Sequence, residues 1–438
     1  MDNTELQARL LRAIPGGAHT YSRGFDQYPD NAPAIMESGH GGYSYGSDGK
    51  HYLDFVMGLR SVNIGYAEPS ICEAATQYMM QGNNLSRPSF IELEAAERLI
   101  DLIDSVDMVK FAKNGSTAVT AAVKLARGYT GRDGVAVCAQ QPFFSYDDWF
   151  IGSTVIKKGV PESTQAQTFK FNYNDINSLS TLLSAKGDQI ACLVMEPAAL
   201  EHPEQYHENE NFLQAVQRLC RQHGIVFILD EMITGFRWDL KGAQHYYGVQ
   251  PDLCTFGKAM ANGFSVAAVA GRRELMELGS IETSEQERLF LLSSTHGAEM
   301  SSLGAFVATL DFMNDNPVID HFWSIGQRVV DCFNRLSLQH GLQHRFQAKG
   351  VACSPYYIIV DGKGENDLAM RTLFLQEMIK EKVLMPCIAL CYRHDDLALK
   401  HMESALDHTF GVCSSAVTEG VENYLRSALV KPVFRKHN

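Results

Sequence analysis

The sequence predicts an α/β protein with a mainly parallel central sheet, helices on both faces, and a smaller α+β domain formed by the N- and C-terminal parts. Three observations lead there. From Gly134 onward, short apolar runs recur at Val135–Ala139, Thr168–Phe171, Ile190–Glu196, Gly224–Leu229, Leu253–Phe256 and Ala267–Gly271. Each is separated from the next by material read as long enough for a crossover, as in βαβ units. The first 60 residues read as strand and loop, and the chain beyond about Phe346 mixes one short strand, Tyr356–Val360, with helical patterns at Leu368–Glu381 and Asp395–Phe410. The expected division is an N-terminal strand and loop segment (1–60), a large domain (61–320) and a C-terminal small α+β domain (321–438).

A chain of 438 residues that is 45% hydrophobic can bury a sizeable core. No run of about 18 apolar residues occurs, and the start MDNTELQARLLRAIPGG lacks a basic stretch followed by an apolar one. A soluble, cytoplasmic protein is therefore expected. The ten cysteines are widely spaced without a CxxC pair, which predicts reduced, mostly buried thiols and no metal framework. A net charge of −13 and a pI near 5.6 argue against nucleic-acid or anionic-membrane partners.

Taken in order, Glu5–Ile14 has a short helical pattern closed by Pro15-Gly16-Gly17. The polar, aromatic stretch AHTYSRGFDQYP carries one cation, Arg23. Tyr43 and Tyr45, the turn Ser47–Lys50 and the run Tyr52–Phe55 predict a hairpin built on a DG turn. Helices follow at Ile71–Gln81 and Phe90–Ile103, the second with Ser89 and Glu92 spaced as a capping box. Met108–Ala112 is a short strand, then Lys113–Thr117 leads into the helical pattern AVTAAVKLARGYTG. Small hydroxyl residues and a glycine between a strand and a helix N-terminus make an anion site, because free N–H groups and the helix dipole point there. Capping by Ser116 or Thr117 accounts for the same residues. Helices dominate again at Gly304–Asn314 and Val318–Gln339.

The most informative stretch is Gly224–Gly263. Its first apolar run delivers Asp230 at a strand end, and Lys258, 28 positions later, follows a second such run and Gly257. A carboxylate and a lysine on neighbouring buried strand ends suit a pyridoxal phosphate site: the lysine forms the Schiff base and the acid pairs with the pyridinium nitrogen. An acid at a strand end and a lysine beside a glycine are also common in α/β proteins with no such site.

The segments DEMITGFR (230–237) and TFGKAMANGFSVAAVAG (255–271) resemble the cofactor core of the class III, fold type I pyridoxal phosphate aminotransferases, in particular the subgroup of glutamate-1-semialdehyde 2,1-aminomutase. The likeness extends to IPGGAHTYSRGF, YGSDGKHYLDFVMG, KNGSTAVTAAVKLARGYTGRD, MEP (195–197) and SSTHGAE (293–299). It implies a fold type I transferase whose large domain binds pyridoxal 5′-phosphate, with pyridoxamine 5′-phosphate as intermediate form. It implies Lys258 as Schiff-base lysine and proton shuttle and Asp230 as partner of the ring nitrogen. Met232 then packs one ring face, and Phe143 stands at the aromatic that covers the other, with Phe144 and Ser145 where the family has His and Gly. Gly115 and Ser116 would hold the phosphate, Glu196 lies in the MEP motif lining the cofactor, and Thr295 would reach the phosphate of the other subunit, implying an obligate homodimer with a shared active site. Arg23 falls where the aminomutase binds a substrate carboxylate.

The resemblance implies an aminotransferase moving an amino group from a donor, glutamate by family habit, to a carbonyl metabolite of a biosynthetic pathway such as an amino sugar or amino alcohol. Where the aminomutase has Ser-Trp-Gly, this chain has Gly58-Leu59-Arg60, and Arg60 offers a second cation for a substrate anion; a solvated arginine is the alternative. Two other outcomes stay open: a glutamate-1-semialdehyde aminomutase, and a catalytically silent binding protein of the same fold.

Overall fold

The computed structural model describes residues 3–198, 200–282 and 287–437. These fall into two compact units, residues 3–68 with 320–435, and residues 69–319 with 436–437.

The large unit is built on a seven-stranded sheet. Its strands run in the order Met108–Ala112, Ala267–Gly271, Leu253–Phe256, Val226–Asp230, Ile190–Met195, Gly134–Cys138 and Thr168–Phe171. Only Ala267–Gly271 is reversed, pairing antiparallel with both neighbours. This departs from the crossover expected there. The ten residues 257–266 form a tight 3₁₀ turn at Lys258–Ala261 instead of a helix, and a parallel return needs a dozen residues or more. Along the central strands alternate residues enter opposite cores. Val135, Val137, Val194 and Ile228 join one cluster, whereas Ala136, Cys138, Leu193 and Leu229 join the other. A sheet covered by helices on both faces is the physical reason these strands read as unbroken apolar runs.

In the small unit, Met36–His40, Tyr43–Gly46 and His51–Asp54 form an antiparallel meander, and Val383–Leu384 adds in parallel to its edge. Gly49 takes a left-handed φ of 74° in the hairpin turn, as the DG pattern requires. A second hairpin, Phe346–Val351 with Ser354–Ile359, packs its aromatics among Phe333, Phe374 and Phe410, with ring centroids 5.1–5.6 Å apart across Phe333–Phe410, Phe333–Tyr357 and Tyr357–Phe374. The last long helix runs Asp396–Glu419, past the Phe410 limit expected from the sequence. All ten cysteines are free thiols.

One segment of the small unit is conformationally unusual. Met57, Gly58, Leu59 and Arg60 all have left-handed φ, from 44° to 66°. L-residues visit this region singly, at a cost of roughly 1–2 kcal/mol each, so a turn with three non-glycine members needs outside support.

Candidate active site

Asp230 is the last residue of the strand Val226–Asp230, in register with Thr255 of the neighbouring strand. Lys258 follows that neighbour by two positions. The sheet therefore brings the acid and the amine to the same edge, at the carboxyl ends of parallel strands, where open α/β sheets bind ligands. Asp230 is only 3% exposed. Its Oδ1 accepts from the Met232 N–H at 2.9 Å and from the Thr255 hydroxyl at 3.4 Å. Burial pushes its carboxyl up from 3.8 to about 6, against the positive charge of Lys258, which pulls it down. Lys258 is partly buried and has a φ of 44°, a left-handed conformation for a non-glycine residue. Strain of this kind persists where the surroundings fix it, and it concentrates at functional sites.

Met232 ties three segments together. A Cβ on Gly115 would lie 2.8 Å from its sulfur, and one on Gly257 would lie 2.6 Å from it. Glycine at both positions thus lets the methionine fill the space between the helix N-terminus and the lysine turn, alongside Ala112, Ala118 and Ala267.

That helix spans Gly115–Thr130. Asn114 caps it, its side-chain oxygen accepting from the Thr117 N–H at 2.9 Å and the Thr117 hydroxyl at 3.1 Å. Capping falls to Asn114, not to Ser116 or Thr117. The buried Ser116 hydroxyl instead accepts from the Tyr146 N–H at 3.1 Å. The loop carrying Tyr146 is pinned to the helix at further points: the Ser145 and Thr120 hydroxyls lie 3.1 Å apart, and the Trp149 indole N–H donates to Thr120 at 2.9 Å. Phe144 turns into the core, edge-on to Phe150 at 5.5 Å, while Phe143 stays 44% exposed at the surface of that loop. The two departures from the family pattern therefore have a structural account. Phe144 anchors the loop by burial and Ser145 by hydrogen bonds, leaving Phe143 outward.

Glu196 is buried just after the strand Ile190–Met195, and its backbone N–H and C=O are both clasped by the Gln141 amide at 2.9 Å. Thr295 is exposed, in a turn followed by Glu299, which pairs with Lys113 and accepts from Asn83 at 2.7 Å. Arg23 and Arg60 belong to the small unit. Arg23 is exposed and lines a cavity of about 520 Å³ together with Tyr28, Asp54, Gly58 and Tyr66. Arg60 is half-buried, and its guanidinium donates to the Ile388 carbonyl at 3.4 Å.

Sequence reasoning passed over Glu231. It is fully buried beside Asp230, accepts from the Ala243 and Gln244 N–H groups at 3.0 and 2.8 Å and from the Thr234 hydroxyl, and burial raises it to about 6. Its adjacency to Asp230 was the one available signal. Gln141 had none; Asn114 had the spacing to Thr117.

A buried acid, an amine whose charge reaches it, and a capped helix N-terminus joined by one methionine fit a cofactor with a cationic ring, a reactive carbonyl and a phosphate. Together with the doubly covered sheet, they define a fold type I pyridoxal phosphate enzyme. The sequence pattern of class-III aminotransferases matches residues 25–356. The chain is 30% identical over 400 residues to the 3-aminobutyryl-CoA aminotransferase of Cloacimonas acidaminovorans (strain Evry), covering 90% of this chain and 92% of that one. It is 32% identical over 343 residues to the glutamate-1-semialdehyde 2,1-aminomutase of Alkaliphilus oremlandii (strain OhILAs), covering 76% and 79%. Among solved structures, the FumI protein of Sphingopyxis sp. MTA144 with PLP superposes with a TM-score of 0.84 at 22% identity, covering 95% and 97%. The protein belongs to the class-III aminotransferase family, and its cofactor is pyridoxal 5′-phosphate.

Asn114→Ala is expected to lower stability by about 1 kcal/mol through loss of the cap. It should also weaken cofactor retention by freeing the first turn. Thermal melts and cofactor release on dialysis measure the two effects.

Proposed function

We infer that the enzyme transfers an amino group from a donor, glutamate first, to a carbonyl metabolite that carries an anionic group. The observation that carries this is the convergence of Asp230 and Lys258 on one sheet edge, with Met232 packed between Gly115 and Gly257. Bound there, pyridoxal phosphate supplies the electrophilic carbonyl and the electron sink for proton removal at the substrate α-carbon. Asp230, as carboxylate, keeps the proton on the ring nitrogen. Lys258 would hold the cofactor through its amine and, when that amine is free, would move the proton at the substrate α-carbon. Gly115 and Ser116 hold the phosphate at the helix N-terminus. Met232 and Phe143 would pack against the cofactor ring, and Glu196 would join the residues that hold it. Arg23 takes the substrate carboxylate, and Arg60 offers a second cation for a substrate anion.

Thr295 completes the phosphate site of a second copy, making the enzyme an obligate homodimer. Its exposure on a turn braced through Glu299 supports this. Cytoplasmic placement is supported by ten free thiols; no helix among the described residues is long and apolar enough to cross a membrane. The second outcome is isomerisation within one bound substrate, favoured by the aminomutase relatives and by Arg23. Incubating the holoenzyme with glutamate decides the donor. We expect 2-oxoglutarate and the pyridoxamine form of the cofactor in equal amounts; the absence of both would remove glutamate. Turnover of glutamate-1-semialdehyde with no added amino acceptor would identify the isomerase.

A further inference from the structure

The left-handed turn at residues 57–60 is held by two side chains that the reaction itself does not use. The buried Asp54 carboxylate accepts through Oδ1 from the N–H groups of Val56 at 2.7 Å and Met57 at 3.1 Å. Its Oδ2 accepts from the Tyr66 hydroxyl at 3.0 Å, and that hydroxyl oxygen in turn accepts from the Gly58 N–H at 2.9 Å. Inside the turn, the Arg60 N–H reaches the Val56 carbonyl at 3.0 Å. One carboxylate and one phenol thus fix three consecutive amides at the entry to a conformation that the sequence alone disfavours. The turn is anchored on its apolar side as well, Met57 packing with Tyr66, Ala389 and Cys391, and Leu59 against Tyr52, Val56 and Leu384.

The turn is also a wall. Asp54, Val56, Gly58 and Tyr66 line the same cavity as Arg23. A relaxed turn would swing Gly58 out of that lining, so the conformation has a use at the cavity and not only in the core.

We propose that Asp54 and Tyr66 are positioning residues for substrate: through Gly58 they hold the left-handed turn as a preformed wall of the Arg23 cavity, against which an acceptor bearing a carboxylate is bound. This rests on the assignment of that cavity to substrate in the aminotransferase reading. Preorganisation of this kind lowers the cost of binding without touching the chemical step.

The test is Tyr66→Phe in the full-chain holoenzyme. Phenylalanine keeps the ring that packs over Gly39 and removes the hydroxyl alone. Amide exchange in the peptide spanning 55–62 is expected to quicken about fivefold, one hydrogen bond's worth of opening. With glutamate as donor and succinic semialdehyde as the carboxylate-bearing probe, KM for the aldehyde is expected to rise about tenfold while kcat stays within about twofold. Unchanged exchange would show that Tyr66 does not hold the turn, and faster exchange with an unchanged KM would show that the turn does not serve substrate; either overturns the proposal. If the wild-type holoenzyme turns over no donor at all, the aminotransferase reading fails and the substrate half of this proposal fails with it, while the exchange measurement still judges the support of the turn.

Discussion

With Lys258 in the role proposed for it, Lys258→Ala is expected to lower kcat/KM by about 10⁴-fold or more, because one amine would both hold the cofactor and move the proton. The loss should fall on the chemistry and not on the fold. Lys258 is partly buried on a turn whose neighbours Ala259, Met260 and Ala261 are all buried, so the backbone there is held by its own packing. Thermal stability of the cofactor-free variant should stay near that of the parent, and initial rates with visible spectra after dialysis would show activity and cofactor colour lost together. Lys258 is the charge that pulls the Asp230 carboxyl down against burial, so its removal should move the Asp230 titration upward in the cofactor-free protein.

Asp230→Asn is expected to cost about 10³-fold in kcat/KM, the scale of removing one preorganised charge from a buried site. Its effect on stability should have the opposite sign when the cofactor is absent. Folding raises Asp230 from 3.8 to about 6, so the fold favours the protonated acid. The stability from that preference is fully present below about pH 4 and is lost as pH rises through about 6. At pH 8 the ionised, buried carboxylate is disfavoured by roughly 3 kcal/mol relative to water, whereas asparagine stays neutral throughout. The cofactor-free Asn variant should therefore melt above the parent at pH 8, with the gap closing toward pH 4. Glu231, also raised to about 6, owes that rise first to burial and only last to the Asp230 charge, so its effect is similar in both proteins and largely cancels. Adding pyridoxal phosphate should reverse the order at pH 8, because a protonated ring nitrogen favours the carboxylate. Melting curves of both proteins across pH, with and without cofactor, measure all three effects.

The parts of this protein that were legible in its sequence are those fixed by local chemistry. Asp230 and Lys258 stand at the ends of apolar runs long enough to be buried strands, and register then does the rest by setting Asp230 beside Thr255. The Ser89–Glu92 capping box and the hairpin turn at Gly49 formed as written, because each needs only its own few residues. What could not be read depends on partners distant in the chain. The reversal of Ala267–Gly271 follows from a ten-residue connection that folds into a 3₁₀ turn. The burial of Glu231 depends on N–H donors twelve and thirteen positions later. The left-handed turn at 57–60 contains a single glycine, and its support comes from Asp54 and Tyr66 on either side. Phe144 and Ser145 look like losses beside the family pattern; their contacts with Phe150 and Thr120 become visible only once the loop lies on the helix Gly115–Thr130.

We assign Lys258, on the sheet edge that also carries Asp230, as the residue that holds the cofactor. Borohydride reduction of the holoenzyme followed by peptide mapping tests it most directly. One pyridoxyl group per chain is expected, on the peptide containing Lys258, and none in Lys258→Ala. A label on any other lysine, or undiminished labelling of the variant, would contradict it.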